Sequence, residues 1–199
     1  MFVSNIEETG MECLAALGFI LPITIILQAF ANLIGLGWSP RASMKLGEGK
    51  KDEANRIFSN VFLLLLLIGI YLSLVCFFLA EPLVKLFGCP ESAISYAASY
   101  LKAYSIGIVF LMLGQELNPF LTAQDRSFLV MVSILIGVLI SIGLDPLFIF
   151  VFRLGETRAA YVTIISQFCS FAWIIAIFFT KGSVFHFSLK EMNQSGQTS

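Results

Sequence analysis

The sequence predicts an all-α fold, a polytopic transmembrane helical bundle of about five spanning helices. Three observations predict it. Of the 199 residues, 58% are apolar and 20 are Phe. Charged side chains make up 13%, about half the usual share of a soluble domain. The apolar residues fall into runs long enough to cross a hydrocarbon core of about 30 Å, which needs roughly 20 residues of helix. The period-two alternation of a membrane strand is missing, so helices remain the way to satisfy the backbone in lipid.

The runs are taken in order. Met11 to Gly35 carries no charge beyond Glu12. Ile57 to Ala80 is a leucine-rich stretch that stops before Glu81 and Pro82. Ala93 to Leu121 is more polar and holds Lys102, Gln115, Glu116 and Asn118. Phe128 to Phe152 is apolar almost throughout, yet contains Asp145 and Pro146. Ala159 to Phe179 is the last, bounded by Arg158 and Lys181. Short polar connectors separate them, and residues 182–199 read as a polar tail.

Arg41, Lys45, Lys50, Lys51 and Arg56 crowd the connector after the first run, which the positive-inside rule places in the cytoplasm. Alternation then puts Arg126, Lys181 and Lys190 inside as well, and Lys85, Lys102, Arg153 and Arg158 outside. The amino terminus falls outside without the basic flank of a signal peptide, so a first helix upstream is expected.

Chemistry is sparse. Cys13, Cys76 and Cys169 lie in apolar runs and Cys89 in an outer connector, and their spacing fits neither a metal site nor a disulfide framework. They are expected to be small buried hydrophobes. His186, the sole histidine, lies in the tail. Gly35, Gly37, Gly47 and Gly49 surround a basic turn between Leu33 and Asn60, expected as a tight intracellular hairpin. A phosphate-binding loop would need a preceding strand and a Gly-Lys-Ser or Gly-Lys-Thr ending. With no nucleophile and base pair, metal cluster or cofactor loop, neither an enzyme nor a cofactor is expected, and no nucleic-acid partner.

The glycines, a small-residue run, "LGEGKKDEAN" and a following apolar helix resemble the multidrug and toxin extrusion (MATE) family of cation-coupled efflux transporters, and within it the bacterial MepA-like branch. "FLAEPLVKLFGCPESAISYAASYLKAY", "LNPFLTAQDRSFLVM", "LDPLFIFVF" and "RAAYVTIISQ" continue the likeness in order, over residues 2–181. The opening "FVSNIEETGMECLAALGFILPI" resembles the connector after the family's first helix, with the second helix following. The resemblance implies one incomplete lobe of a twelve-helix transporter with two six-helix lobes. Residues 1–181 would supply helices two to six of the first lobe, and residues 182–199 the start of the inter-lobe linker. It implies the bacterial inner membrane as location. The implied partners are the lipid bilayer, the missing first helix and the second lobe. Such a fragment is expected to be inactive alone, because alternating access moves one repeat against another around a midplane site.

Asp145 lies eight residues before Arg153, roughly 12 Å inside the outer boundary at 1.5 Å per residue. A charge there costs about 2.5 to 3.5 kcal/mol on insertion scales, so such residues usually face a cavity or a partner. A helix ending at Asp145, with Pro146 opening an external loop, would leave "LFIFVF" exposed. Pro146 removes a backbone donor and invites a kink, making it the expected hinge. Out of water a carboxyl also exists as the neutral acid, so Asp145 would gain and lose a proton. Thr163 and Gln167 sit about 7.5 Å and 13.5 Å in from Arg158 on the next helix, as partners of Asp145 or as simple interhelical hydrogen-bonding groups. The resemblance implies a cation site in which an aspartate on helix five and a threonine on helix six match Asp145 and Thr163. The family's asparagine position holds Ser141, and its helix-one aspartate lies outside the chain. The coupling ion is therefore H⁺ or Na⁺, with the shortage of oxygen ligands weakening the case for Na⁺.

Glu116 lies nine residues before Asp125, about 13.5 Å in from the inner side. With Gln115 and Asn118 it is expected either to line a cavity for small organic cations or to form a structural pairing. Tyr104, Phe110, Phe128 and Met131 could face such a cavity, where aromatic rings attract cations. Lys102 is expected to snorkel to the outer boundary.

The expected function is export of organic cations and drugs by an H⁺- or Na⁺-coupled antiporter. Two alternatives stand beside it. A lipid-linked sugar flippase of the same superfamily would want arginines or lysines deep in a span for pyrophosphate, and none lies there. A non-transporting membrane remnant is the other.

Overall fold

A computed structural model describes the backbone of residues 2–150 and 158–179, and the side chains of residues 18–143 and 161–179. The described residues form helices and no strand: α1 (Phe2–Gly47), α2 (Lys51–Phe78), α3 (Ala80–Leu86), α4 (Glu91–Glu116), α5 (Asn118–Thr122), α6 (Ser127–Phe150) and α7 (Arg158–Phe178). Four described segments are long and apolar enough to cross a membrane: Gly18–Gly47, Lys51–Phe78, Glu91–Thr122 and Tyr161–Phe178. α6 adds a 24-residue helix, about 36 Å of rise, whose side chains are described as far as Gly143. The tail 182–199 lies outside the described residues.

Several boundaries differ from the sequence expectation. α1 extends through Gly35 and Gly37 and past Pro40 to Gly47, so the turn is a short one at residues 48–50. Only Gly49 there has a positive φ, +77°, which a side chain would strain. The polar stretch after Phe2, expected as a connector, is helical backbone continuous with α1. The helix α3, seven residues long, was hidden inside an expected connector. α4 breaks at Leu117, because Pro119 has no N–H to continue the ladder and its ring crowds the preceding turn.

α4 is the central element, packed against α1, α2, α3 and α7, while α6 packs on α7 and α5. Lipid offers no hydrophobic reason for helices to associate, so close van der Waals contact between small residues has to hold them. Such contacts lie on two opposite faces of α4. On one, Gly107 meets α7: a Cβ there would lie 2.7 Å from Ile164 Cγ1. On the other, Val109 and Met112 meet Gly69 of α2, where a Cβ would lie 3.4 Å from Val109 Cα. Ser73 Oγ of α2 also donates to the Ser105 carbonyl of α4 at 2.5 Å.

Aromatic packing closes the end that bears the basic turn. Phe58, Phe120 and Phe178 are fully buried there, with ring centroids 5.4 Å apart for Phe58–Phe120 and 4.7 Å for Phe58–Phe178. They join α2, α5 and α7. The turn itself carries Lys45–Glu53 and Lys50–Glu48 pairs at 3.0 Å and a Lys45–Glu48 pair at 3.2 Å. Lys50 and Lys45 beside it hold the Glu48 carboxyl below the usual carboxylate range. At the opposite end Lys102, expected to snorkel, reaches Glu81 at 3.5 Å. Cys76 and Cys89 are free and buried, and burial pushes the Cys89 thiol up.

Candidate functional site

A cavity of about 260 Å³ opens between the α4–α5 break, α6 and α7. Each helix brings a polar row. α7 contributes Thr163, Ser166, Gln167 and Ser170, at positions i, i+3, i+4 and i+7 of one face. α6 contributes Ser133, Gly137 and Ser141 at successive i+4 steps, with Ile134 and Val138 beside them. α4 and α5 contribute Gly114, Gln115 and Asn118.

The helix break supplies unusual polarity at the cavity wall. With the ladder interrupted, Asn118 Nδ2 donates to the Gly114 carbonyl at 3.1 Å and takes the place of the missing backbone donor. The amide oxygen of Asn118 is then left buried without a partner. α6 and α7 come close because Gly137 faces Ser170: a Cβ at 137 would lie 2.6 Å from Ser170 Oγ. Ser170 Oγ donates to the Ser133 carbonyl at 3.2 Å, linking the two helices. Ser166 Oγ instead donates to its own helix at the Val162 carbonyl, 2.9 Å away. Thr163 meets the Tyr100 phenol of α4 in a side-chain hydrogen bond.

The structure brings together Gln115, Asn118, Ser141, Thr163 and Gln167, five of the residues singled out in the sequence. The backbone of α6 runs through positions 145 and 146 to Phe150, so the helix does not end at Asp145. Position 145 is the next step of the i+4 row after Ser141. The side chains of Asp145 and Pro146 lie outside the described residues.

Glu116 does not line this cavity. At about 100° per residue it lies about 180° around α4 from Gly107, on the face away from α7. It is buried there against Gly35 of α1, with 2% of its surface exposed. Among the aromatic and Met candidates, Phe110 packs on Phe168 and Phe171 of α7, and Tyr104 is buried and stacks on Tyr100. Phe128 and Met131 are exposed, on the outside of α6. Ser133, Ser166 and Ser170 of the cavity, and Tyr100, were missed in the sequence. The i, i+3, i+4, i+7 spacing of polar residues on α7 is the signal that reveals Ser166 and Ser170 together with Thr163 and Gln167.

Residues 1–147 match the family model described as MatE. The chain belongs to the MatE family. It is 34% identical over 172 residues to a probable multidrug resistance protein, YpnP, of Bacillus subtilis, a match covering 85% of this chain and 38% of that protein. It is 26% identical over 189 residues to the multidrug export protein MepA of Staphylococcus haemolyticus, covering 95% and 41%. It is also 29% identical over 180 residues to an FAD transporter of Shewanella oneidensis, covering 86% and 38%. Among solved structures, the MATE multidrug transporter DinF-BH superposes with a TM-score of 0.84 at 28% identity, covering 90% of this chain and 41% of that one. The chain thus spans about two fifths of the length of its MATE relatives, the extent of one lobe. It is an integral membrane protein with a MATE-type helical fold.

Proposed function

We propose that this chain forms part of the first lobe of a cation-coupled MATE exporter in the bacterial inner membrane, with small organic cations as cargo. The observation that supports this best is a polar cavity inside an apolar bundle, with Asp145 in the next turn of α6 beyond Ser141. Polar rows of this kind are costly within hydrocarbon and mark ion and substrate paths.

In this reading Asp145 takes up a proton from the outer side and becomes neutral. Loss of its charge removes its demand for water and polar partners, α6 bends at Pro146, and the cavity changes shape and lets the cargo leave. Release of the proton inward resets the lobe. Thr163, Gln167 and Ser141 supply the hydroxyl and amide groups that tell the two charge states of Asp145 apart. A single titrating carboxyl suffices for H⁺, so H⁺ is the proposed coupling ion; Na⁺ would need those three oxygens as well.

A phosphate-bearing cargo is the second reading, suggested by the similarity to an FAD transporter. No Lys or Arg lines the cavity among the described residues, which favours the organic cation over this cargo and over a lipid-linked sugar. The test is transport by the full transporter carrying this lobe, reconstituted in proteoliposomes. Asp145→Asn is expected to abolish ethidium efflux driven by a pH gradient and ethidium-dependent proton flux. Undiminished transport would remove Asp145 from the mechanism.

A further inference from the structure

Glu116 is a buried acid that the proposed cavity does not use. Its side chain fills the space left by the missing side chain of Gly35 on α1: a Cβ at 35 would lie 2.6 Å from Glu116 Cβ and 2.8 Å from Cδ. Glu116 forms no hydrogen bond or ion pair with any described residue. The neighbouring elements bring no charge to its level. α1 from Gly18 to Ser39, α2 from Ile57 to Phe78, α5, and α7 after Arg158 contain no Asp, Glu, Lys or Arg. Their titratable groups are Tyr71 and Cys76 on α2 and Tyr161 and Cys169 on α7. α4 itself adds Glu91, Tyr96, Tyr100, Lys102 and Tyr104, and α3 adds Glu81 and Lys85 toward the other end, while Arg41 and Lys45 on α1 and Lys51, Asp52, Glu53 and Arg56 on α2 lie toward the basic turn. An ionised carboxylate against Gly35 would be a charge with almost no exposed surface and no counter-ion among the described residues, so the packed arrangement favours the neutral acid.

We propose that the Gly35–Glu116 contact is a proton-dependent latch between α1 and α4: Glu116 binds a proton while packed on Gly35, and loses it only when the two helices part. Gly35 is the specific partner because any side chain there displaces the carboxyl. The latch joins α1 to the central helix on the face opposite the cavity, so it controls an α1 motion separate from any bend in α6. It depends neither on the cargo nor on Asp145.

The test uses this chain in lipid nanodiscs. The infrared spectrum reports neutral carboxyl groups directly. Trp38, three residues beyond Gly35 and one of two tryptophans, reports the α1 environment once Trp173→Phe has removed the other. Raising the pH is expected to remove a neutral-carboxyl band and, in the same range, to step the Trp38 emission. Glu116→Gln is expected to abolish both changes. Glu116→Asp, which keeps a titrating group, retains the step at a shifted midpoint and controls for loss of fold. Gly35→Ala keeps the acid but denies it the pocket, and is expected to lower the midpoint by at least about one pH unit, a tenfold weaker hold on the proton. A band and step that survive Glu116→Gln, or a midpoint indifferent to Gly35→Ala, would overturn the latch.

Discussion

Gly107 and Gly37 provide a matched pair for asking what holds the bundle together. Replacing either by Ala gains helix propensity of up to about 1 kcal/mol. At Gly37 nothing lies within 4 Å of the new Cβ, so Gly37→Ala is expected to be neutral or stabilising. At Gly107 the Cβ would sit 2.7 Å from Ile164 Cγ1, whereas ordinary contact begins at 3.4 Å. Closing that shortfall requires Ile164 to leave its rotamer or α4 and α7 to separate. Ile164 Cβ at 3.4 Å and its Cα at 3.5 Å restrict the first route. Overpacking of this kind costs about 1 to 3 kcal/mol. Because the propensity gain is common to both, the difference between the two variants isolates the clash and should fall in that range. The assay is reversible unfolding of the chain in mixed detergent and lipid micelles, followed by circular dichroism. Equal stabilities for Gly107→Ala and Gly37→Ala would refute the claim that close approach of α4 to α7 holds the fold.

Other expectations follow from the same geometry. Asn118→Ala removes the donor to the Gly114 carbonyl and should cost about 0.6 to 1.7 kcal/mol in the same unfolding assay, the range of polar contacts between membrane helices. Phe120→Ala opens a hole between Phe58 and its neighbours and should destabilise more than Phe128→Ala, whose ring is 69% exposed. Glu48 has its carboxyl held below the usual 4.5 by Lys50 and Lys45, so its contribution is present above pH 4.5 and is lost as pH falls through the lowered value. Protection of the α1–α2 turn against hydrogen exchange, taken relative to the intrinsic rate at each pH, should therefore fall on acidification below pH 4.5, and the effect should shrink in high salt. Cys89, buried and with its thiol shifted up, should resist maleimide at neutral pH until the chain is unfolded.

Much of this architecture was legible in the sequence because lipid imposes a simple rule: apolar runs must be helical and long enough to span. Each of the five runs read from hydropathy has its helix among the described residues, in α1, α2, α4 with α5, α6 and α7, although the second run passes the end of α2 at Phe78 and the fourth extends beyond the described end of α6 at Phe150. The ends were less legible. Hydropathy stops where charge begins, but α1 continues past Pro40 into its basic last turn, because a helix needs no apolar side chains once it leaves the hydrocarbon. α3 was hidden because seven residues with Glu81, Pro82 and Lys85 do not form an apolar run.

The candidate site divides in the same way. Gln115, Asn118, Thr163 and Gln167 stood out because amides and hydroxyls at depth need a reason. Ser133, Ser166 and Ser170 did not stand out, since a serine such as Ser166 can satisfy its hydroxyl on its own helix and leaves no trace of which way it faces. Glu116 was grouped with Gln115 by depth alone. Adjacent residues on a helix point about 100° apart, and that rotation takes Glu116 to α1 while Gln115 reaches the cavity.

Water in the cavity between α4, α6 and α7 is the point on which the transport reading turns, and thiol labelling measures it. In a Cys169→Ala background, Gln167→Cys faces the cavity, while Phe168→Cys lies at a position 49% exposed on the outside of α7. A membrane-impermeant thiol reagent applied to the chain in lipid bilayers is predicted to label Gln167→Cys and leave Phe168→Cys untouched. Labelling of Phe168→Cys alone, or of neither, would contradict a water-accessible cavity and with it the role given to Asp145.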